Sequence, residues 1–281
     1  MKTFFLITII ILTVLQVSEL TAQTSGTAEK ETVILISTGL GDIKIKLYNE
    51  TPQHRDNFIS LVKKHYYDSC LFHRVIANFM LQGGDPDSKN AAQGIVLGNG
   101  GPGYTIPAEF ITGIIHKKGA LAAARQPDNE NPQKASSGSQ FYIVQGRVFT
   151  NEELDMMEER MNQNIKTQII INYINRKEHS DLKNKVDSLQ RTRNIQALDK
   201  LGKDLEDWTK EDYEKAEKFN FSPEQRKVYT TLGGSPHLDG NYTVFGEVVE
   251  GLDVVDRIAA VKTNASDRPL EDISMIITIS K

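Results

Sequence analysis

Apolar and polar residues alternate along Asp42 to Leu47, where Ile43, Ile45 and Leu47 are set against lysines. Thr32 to Ser37 before them carries the run Val-Ile-Leu-Ile, and Thr38-Gly39-Leu40-Gly41 between the two is a turn signal. The pair predicts an antiparallel hairpin. Thr51-Pro52 predicts a helix start with proline at its first position and an apolar face of Phe58, Leu61 and Val62. Phe72 to Asp85 follows, reading Phe-His-Arg-Val-Ile-Ala-Asn-Phe-Met-Leu-Gln-Gly-Gly-Asp. A period of two puts Phe72, Arg74 and Ile76 on one face of a strand, and Met80 with Gln82 on one face of the next. An arginine on a mostly apolar face is costly unless paired. By spacing alone the favoured reading is a structural tie to a carboxylate such as Asp85, with a functional role as the alternative.

Asp85 to Thr105 is rich in Gly, Asn, Asp and Pro and predicts a loop. It lacks a Gly-Lys-Ser/Thr and a following amphipathic helix, which argues against a phosphate cradle. Gly119 to Arg125 is helical by propensity, although its leading glycine leaves a small-residue strand open. Ser139 to Val144 predicts a strand. The serines ahead of it lack a Gly-x-Ser-x-Gly elbow, which excludes the usual serine hydrolase arrangement.

From Thr150 the period changes. Thr150-Asn151-Glu152-Glu153 predicts a capping box, followed at helical spacing by Leu154, Met157, Met161, Ile165 and Ile169. Ser180, Thr209 and Ser222-Pro223 are further predicted N-caps. Residues 149–230 therefore form a charged helical block, too long for a simple loop. Tyr242 to Val249 returns to strand, Leu252 to Ala260 predicts a short helix, and Met275 to Ile279 a closing strand. A β body interrupted by a helical insertion is the simplest architecture.

Composition adds limits. The 281 residues are 39% hydrophobic and 25% charged with a net charge of −4, and no basic stripe appears, so nucleic acid is not an expected partner. Lys2 followed by the apolar Phe4 to Val17 and by Leu20-Thr21-Ala22 has the layout of a secretory signal peptide over residues 1–22, with residues 23–30 a flexible leader. The apolar core is short for a membrane span, so no stable membrane insertion is expected after cleavage; an uncleaved N-terminal anchor is the alternative. Cys70 is the one cysteine, so the fold stands without an intrachain disulfide, and the thiol reads as a small buried hydrophobe.

Three motifs in order then carry a resemblance. They are Phe72-His73-Arg74-Val75-Ile76 with Phe79-Met80-x-Gln82-Gly83-Gly84-Asp85, then Ser139-Gln140-Phe141-Tyr142-Ile143, then Leu238-Asp239-Gly240 with Val244-Phe245-Gly246. Over about Val33 to Val144 and Gly234 to Ile279 the chain resembles the cyclophilin-type peptidyl-prolyl cis-trans isomerases. The resemblance implies a closed eight-stranded antiparallel barrel capped by two helices, split into residues 31–148 and 231–281 by the insertion at 149–230. It also implies that Gly119 to Arg125 is strand and loop.

Rotation about an X–Pro bond crosses a barrier of roughly 18–20 kcal/mol because amide resonance must be broken. The twisted nitrogen regains a lone pair, and a fixed guanidinium aimed at it favours the twisted state over both planar isomers. Arg74 matches the family's catalytic arginine and Gln82 the glutamine that supports it. Phe79, Met80, Leu238 and Tyr142 match the proline slot, with Tyr142 where eukaryotic members usually carry Phe. Gln140 matches a groove residue, and Ala124 and Arg125 match the segment whose backbone holds the residue before proline. His237 stands where many eukaryotic members have Trp, and Tyr242 replaces a groove histidine, which puts tight cyclosporin binding in doubt rather than isomerisation. No metal or cofactor is implied. The expected substrates are unfolded or partly folded proline-containing polypeptides, handled by an exported protein. A bacterial periplasm is the favoured location, since a glycan at Asn241 would crowd the groove. A proline-binding or chaperone module with incidental activity is the alternative function.

Overall fold

The structure is a computed structural model that describes residues 31–280; the predicted signal peptide and the leader lie outside the described residues. Strands β1 (Val33–Thr38) and β2 (Gly41–Leu47) form the antiparallel hairpin expected from their alternation. Ile34, Ile36, Ile43, Ile45 and Leu47 are fully buried, while Lys44 and Lys46 point outward to Glu250 and Glu247. Helix α1 (Pro52–Lys63) begins at its proline and buries Phe58, Leu61 and Val62. The Thr51 side chain does not cap it. Instead the Glu109 carboxylate accepts from the backbone N–H groups of Gln53 and His54 at 3.1 and 3.0 Å, satisfying donors that the first turn leaves free.

The remaining strands are β3 (Arg74–Ile76), β4 (Met80–Gly83), β5 (Thr105–Ile106), β6 (Ala120–Ala123), β7 (Ser136–Ser137), β8 (Phe141–Val144), β9 (Val244–Glu250) and β10 (Met275–Ile279). Eight of them pair antiparallel in the order β10-β1-β2-β9-β6-β8-β4-β3, and β5 pairs with β7 separately. Gly119 to Arg125 is thus strand followed by loop. The sheet curls around a core shared with α1 and with α7 (Leu252–Ala259), which buries Val254, Val255 and Ile258 beside Phe58, Leu61 and Val62. The two expected capping helices are both present.

The expectation of a closed barrel needs correction. β3 and β10 are the two edges of an open sheet and share no ladder. Their approaches meet through single bonds, with the Phe72 N–H donating to the Ile273 carbonyl at 2.9 Å and the Met275 N–H to the Cys70 carbonyl at 2.9 Å. β3 is only three residues long, so a full edge-to-edge ladder has no room to form. Cys70 is buried at this seam, and burial pushes its thiol up to about 11. Thiol labelling at pH 8 is expected to follow global unfolding; rapid stoichiometric labelling of the native protein would contradict this.

Five α-helices lie between β8 and β9: α2 (Asn151–Ile174), α3 (Ser180–Arg191), α4 (Ile195–Trp208), α5 (Lys210–Lys215) and α6 (Pro223–Thr231). The capping boxes at Thr150 with Glu153 and at Ser222 with Gln225 form as the sequence predicts. Ser180 and Thr209 do not cap: Ser180 is the first residue of α3, and the Thr209 hydroxyl donates back to the Leu205 carbonyl at 2.7 Å. The two ends of the block meet. Phe149 N–H donates to the Tyr229 carbonyl at 3.0 Å, and Arg147 and Gly234 exchange backbone bonds at 3.2 and 3.0 Å. Leaving and returning at one point, the block does not prise the strands apart.

Candidate active site

Register places the site. Arg74 lies opposite Gln82, Gln82 opposite Tyr142, Tyr142 opposite Ala122, and Ala122 opposite Val244, one row across four strand boundaries. The adjacent row is Ile76, Met80 and Val144. Because side chains alternate, Val75, Leu81 and Ile143 between these rows point to the opposite face and join the main core. The site therefore occupies the outer face of the curled sheet. Phe72, predicted to share a face with Arg74, lies ahead of β3 in the main core instead.

The outer face carries its own apolar cluster of Met80, Ala120, Ala122, Tyr142, Val144, Leu238 and Val244, with Ile76, Phe79, Ala124 and Tyr242 packed around it. A cleft of about 390 Å³ opens over this cluster. Arg74, Gln82, Phe79, Met80, Ala124, Arg125, Tyr142, Leu238 and Tyr242 line it, so the structure gathers nearly all the site residues expected from sequence. Two stand apart. Gln140 lines the adjoining cavity formed by the 98–105 loop, and His237 packs its ring 5.4 Å from that of Phe79.

The polar side of the cleft is ordered by a chain of amides. The Gln140 Nε2 donates to the carbonyls of Gly98 and Gly100 at 2.9 and 2.7 Å, which turns its Oε1 toward the Gln82 Nε2, 3.0 Å away. Gln82 is thereby left with its Oε1 facing Arg74, at 3.5 Å from Nη1. Asp85 anchors the other end, accepting from the backbone N–H of Gly98 at 2.5 Å and of Asp87 at 2.8 Å. The tie between Arg74 and Asp85 considered from spacing does not form. The carboxylate nearest Arg74 is Asp267, with Oδ2 3.5 Å from Nε. That pair is about two-fifths exposed on both sides and is held only loosely. Among the described residues Arg74 Nη2 makes no hydrogen bond, so the guanidinium has donor capacity to spare toward the cleft.

On the opposite side Ala124 has both backbone groups in use: its N–H donates to the Gln140 carbonyl at 3.0 Å and its carbonyl accepts from Ser137 at 2.8 Å. Of the expected pair, only Arg125 keeps backbone groups without a protein partner among the described residues. Its guanidinium is held by the Asn241 carbonyl at 2.7 Å and by Asp128 at 2.6 Å, and lies 4.5 Å from the Tyr242 ring centre. Its charge is committed to that wall.

Sequence reasoning missed Ile95 to Gly98 and the Asn264, Ser266 and Arg268 rim, which also line the cleft. Their loops carry no periodicity, and only the fold brings them in. His73 lines the cleft from below; it is 4% exposed, and burial pushes its imidazole down to about 4. The unfolded chain takes up this proton near pH 6.5 while the folded chain does not until about pH 4. His73 thus lowers stability as pH falls through that window, by up to about 3 kcal/mol, and denaturant midpoints measured from pH 7 to 4 should show His73→Gln flattening the fall.

Comparison with known proteins places the chain in a family. The family model for cyclophilin-type peptidyl-prolyl cis-trans isomerase/CLD matches residues 33–190 and 223–280. A Staphylococcus haemolyticus protein named for peptidyl-prolyl cis-trans isomerase activity is 28% identical over 247 residues, 87% of this chain and 89% of its own. A bifunctional phosphatase/peptidyl-prolyl cis-trans isomerase of Streptococcus pyogenes is 28% identical over 243 residues, but the chain spans only 37% of that protein's length. The crystal structure of a Cryptosporidium parvum cyclophilin-type isomerase superposes with a TM-score of 0.50 at 17% identity, covering 89% of this chain and 98% of that one. The same Cryptosporidium protein has also been crystallised in the presence of the dipeptide Ala-Pro. Matched over most of its length by the family model, the chain belongs to the cyclophilin-type peptidyl-prolyl cis-trans isomerases.

Proposed function

We propose that this protein accelerates cis–trans rotation of X–Pro bonds in proline-containing polypeptides, with Arg74 as the catalytic cation. The observation that carries the reading is the register row that seats Arg74 beside Gln82 at the edge of an apolar slot. Proline enters among Phe79, Met80, Tyr142 and Leu238, which offer no hydrogen bond to a ring that has no N–H to give. Arg125 holds the backbone of the preceding residue. As the amide twists, its nitrogen gains a lone pair, and a guanidinium donor binds that state more tightly than either planar isomer. Gln82, fixed through Gln140, keeps Arg74 turned toward the bond. The chemistry forms no covalent intermediate and moves no proton to or from the protein. Isomer exchange in a short Xaa–Pro peptide, followed by exchange spectroscopy, tests the reading; exchange no faster than without protein would overturn it.

We further propose that residues 149–230 form an insertion module between the two parts of the family fold, a reading supported by the meeting of its ends at Arg147 and Gly234. Export to the periplasm is proposed from the sequence of residues 1–22. N-terminal sequencing of the mature protein from a periplasmic fraction tests it; an intact Met1 in the cytosol would refute it.

A further inference from the structure

Tyr142 differs from the other slot residues in carrying a hydroxyl into an apolar cluster, at 5% exposure. That hydroxyl lies 3.0 Å from His116 Nε2. His116 is 1% exposed, and its Nδ1 and its backbone N–H both meet Asp239 Oδ1, at 2.9 and 2.8 Å. The second carboxylate oxygen, Oδ2, accepts from the Tyr229 hydroxyl at 2.5 Å. Asp239 is acceptor-only as a carboxylate, so Nδ1 carries a hydrogen, and in the neutral imidazole Nε2 accepts from the Tyr142 O–H. The hydroxyl is thereby turned out of the slot, and proline meets the ring alone. Burial and the Asp239 carboxylate hold the Tyr229 phenol far above its ordinary range, so it remains a donor.

Two features make this more than a buried polar tie. Asp239 directly follows Leu238, so the same carboxylate fixes one slot wall through His116 and Tyr142 and another through the chain. Tyr229 belongs to α6, packed with Phe149, Leu154 and Phe221 in the core of the helical block. The chain of bonds therefore starts in the inserted helices and ends in the slot.

We propose that Tyr229 is a positioning residue for isomerisation, setting the proline slot through Asp239, His116 and Tyr142, so that docking of the helical block is felt at the active site. This rests on the isomerase reading above. The helical block is then a working part of the enzyme: a change in how α6 sits alters the slot with no contact between α6 and substrate.

The test is a double-substitution cycle on the full chain, reading kcat/KM for a short Xaa–Pro peptide too small to reach the block. Tyr229→Phe removes one oxygen and keeps the ring packed; it is expected to lower kcat/KM by about fivefold to tenfold, in line with the net loss of one hydrogen bond. In the Tyr142→Phe background the same substitution is expected to change it by less than about twofold, because the hydrogen-bonded route through His116 is already cut and only the covalent link to Leu238, which Tyr229 does not set, remains. The imidazole N–H resonance of His116 should shift in Tyr229→Phe. Equal losses in both backgrounds, or no loss in either, would overturn the proposal. If Tyr229→Phe does not fold, Asp239→Asn takes its place in the cycle under the same criteria. Failure of the isomerase reading is distinguishable, since the unsubstituted protein would then itself be inactive.

Discussion

Arg74→Ala is expected to lower kcat/KM on a short Xaa–Pro peptide by about 100- to 1000-fold, the usual cost of removing one preorganised donor from a developing charge. The fold should survive. The Arg74 side chain is 43% exposed and its ion pair with Asp267 is long, so the free energy of unfolding should change by no more than about 0.5 kcal/mol. That separation of activity from stability is what makes the variant informative. Arg74→Lys should recover little, because a single ammonium cannot satisfy Gln82 Oε1, Asp267 and the twisted nitrogen together as a planar fork does. The same variant divides catalysis from capture. A proline-binding or chaperone module would retain its effect on aggregation of a refolding client without Arg74, whereas an isomerase would lose its acceleration of the proline-limited phase. An Arg74→Ala protein within threefold of full activity would remove this residue from the mechanism.

Gly146→Ala is expected to be a strongly damaging single-methyl change at the base of the helical block. Gly146 has φ +61°, and a Cβ there would stand 2.4 Å from Gly234 Cα and from its carbonyl oxygen. Backbone is on both sides of this crossing, tied by the paired bonds between Arg147 and Gly234, so neither strand can yield cheaply. Left-handed strain of about 1–2 kcal/mol adds to the clash, giving a loss of about 3 kcal/mol or more. In a chain of this size that corresponds to a fall in Tm of about 6 °C. Gly113→Ala is the control: its φ is +88° but nothing lies within 4 Å of the added methyl, so it reports the strain alone. Equal losses for the two substitutions would show that the close crossing at Gly146 carries no cost of its own.

What could be read in the sequence was whatever depended on near neighbours. Ile43, Ile45 and Leu47 reveal their strand by alternation, and Thr150 with Glu153 reveals a helix start because both halves of the cap lie within one turn. Ser180 and Thr209 look the same at that range and fail, since Thr209 finds its acceptor behind it at Leu205. The face shared by Met80 and Gln82 was legible; that Arg74 would be paired with Gln82 in register was not. Asp85 was misjudged as a tie for Arg74 because its true partner is the backbone of Gly98, which pattern does not display. The bonds from His116 to Asp239 and Tyr142 join residues far apart along the chain, and no spacing rule reaches them. The curl of the sheet came from family resemblance, but the lack of a closing ladder follows from the length of β3, a three-residue detail.

The placement of β9 has a consequence for how the molecule comes into being. In the sheet it stands between β2 on one side and β6 on the other, yet in the chain it follows the whole helical block. A growing polypeptide that has reached Thr231 holds a hairpin of β1 and β2 and a group of β3, β4, β6 and β8, with no ladder joining them. Val244–Glu250 supplies that join, and Met275–Ile279 then covers β1. Assembly of the sheet must await β9, which follows the whole helical block, while the helices of the block, built from local contacts, are free to form first. Until then β2 and β6, the edges that face each other across the gap, and β1 stand unpaired, a vulnerable interval during which a partner chaperone or rapid completion of the sheet would decide between folding and aggregation.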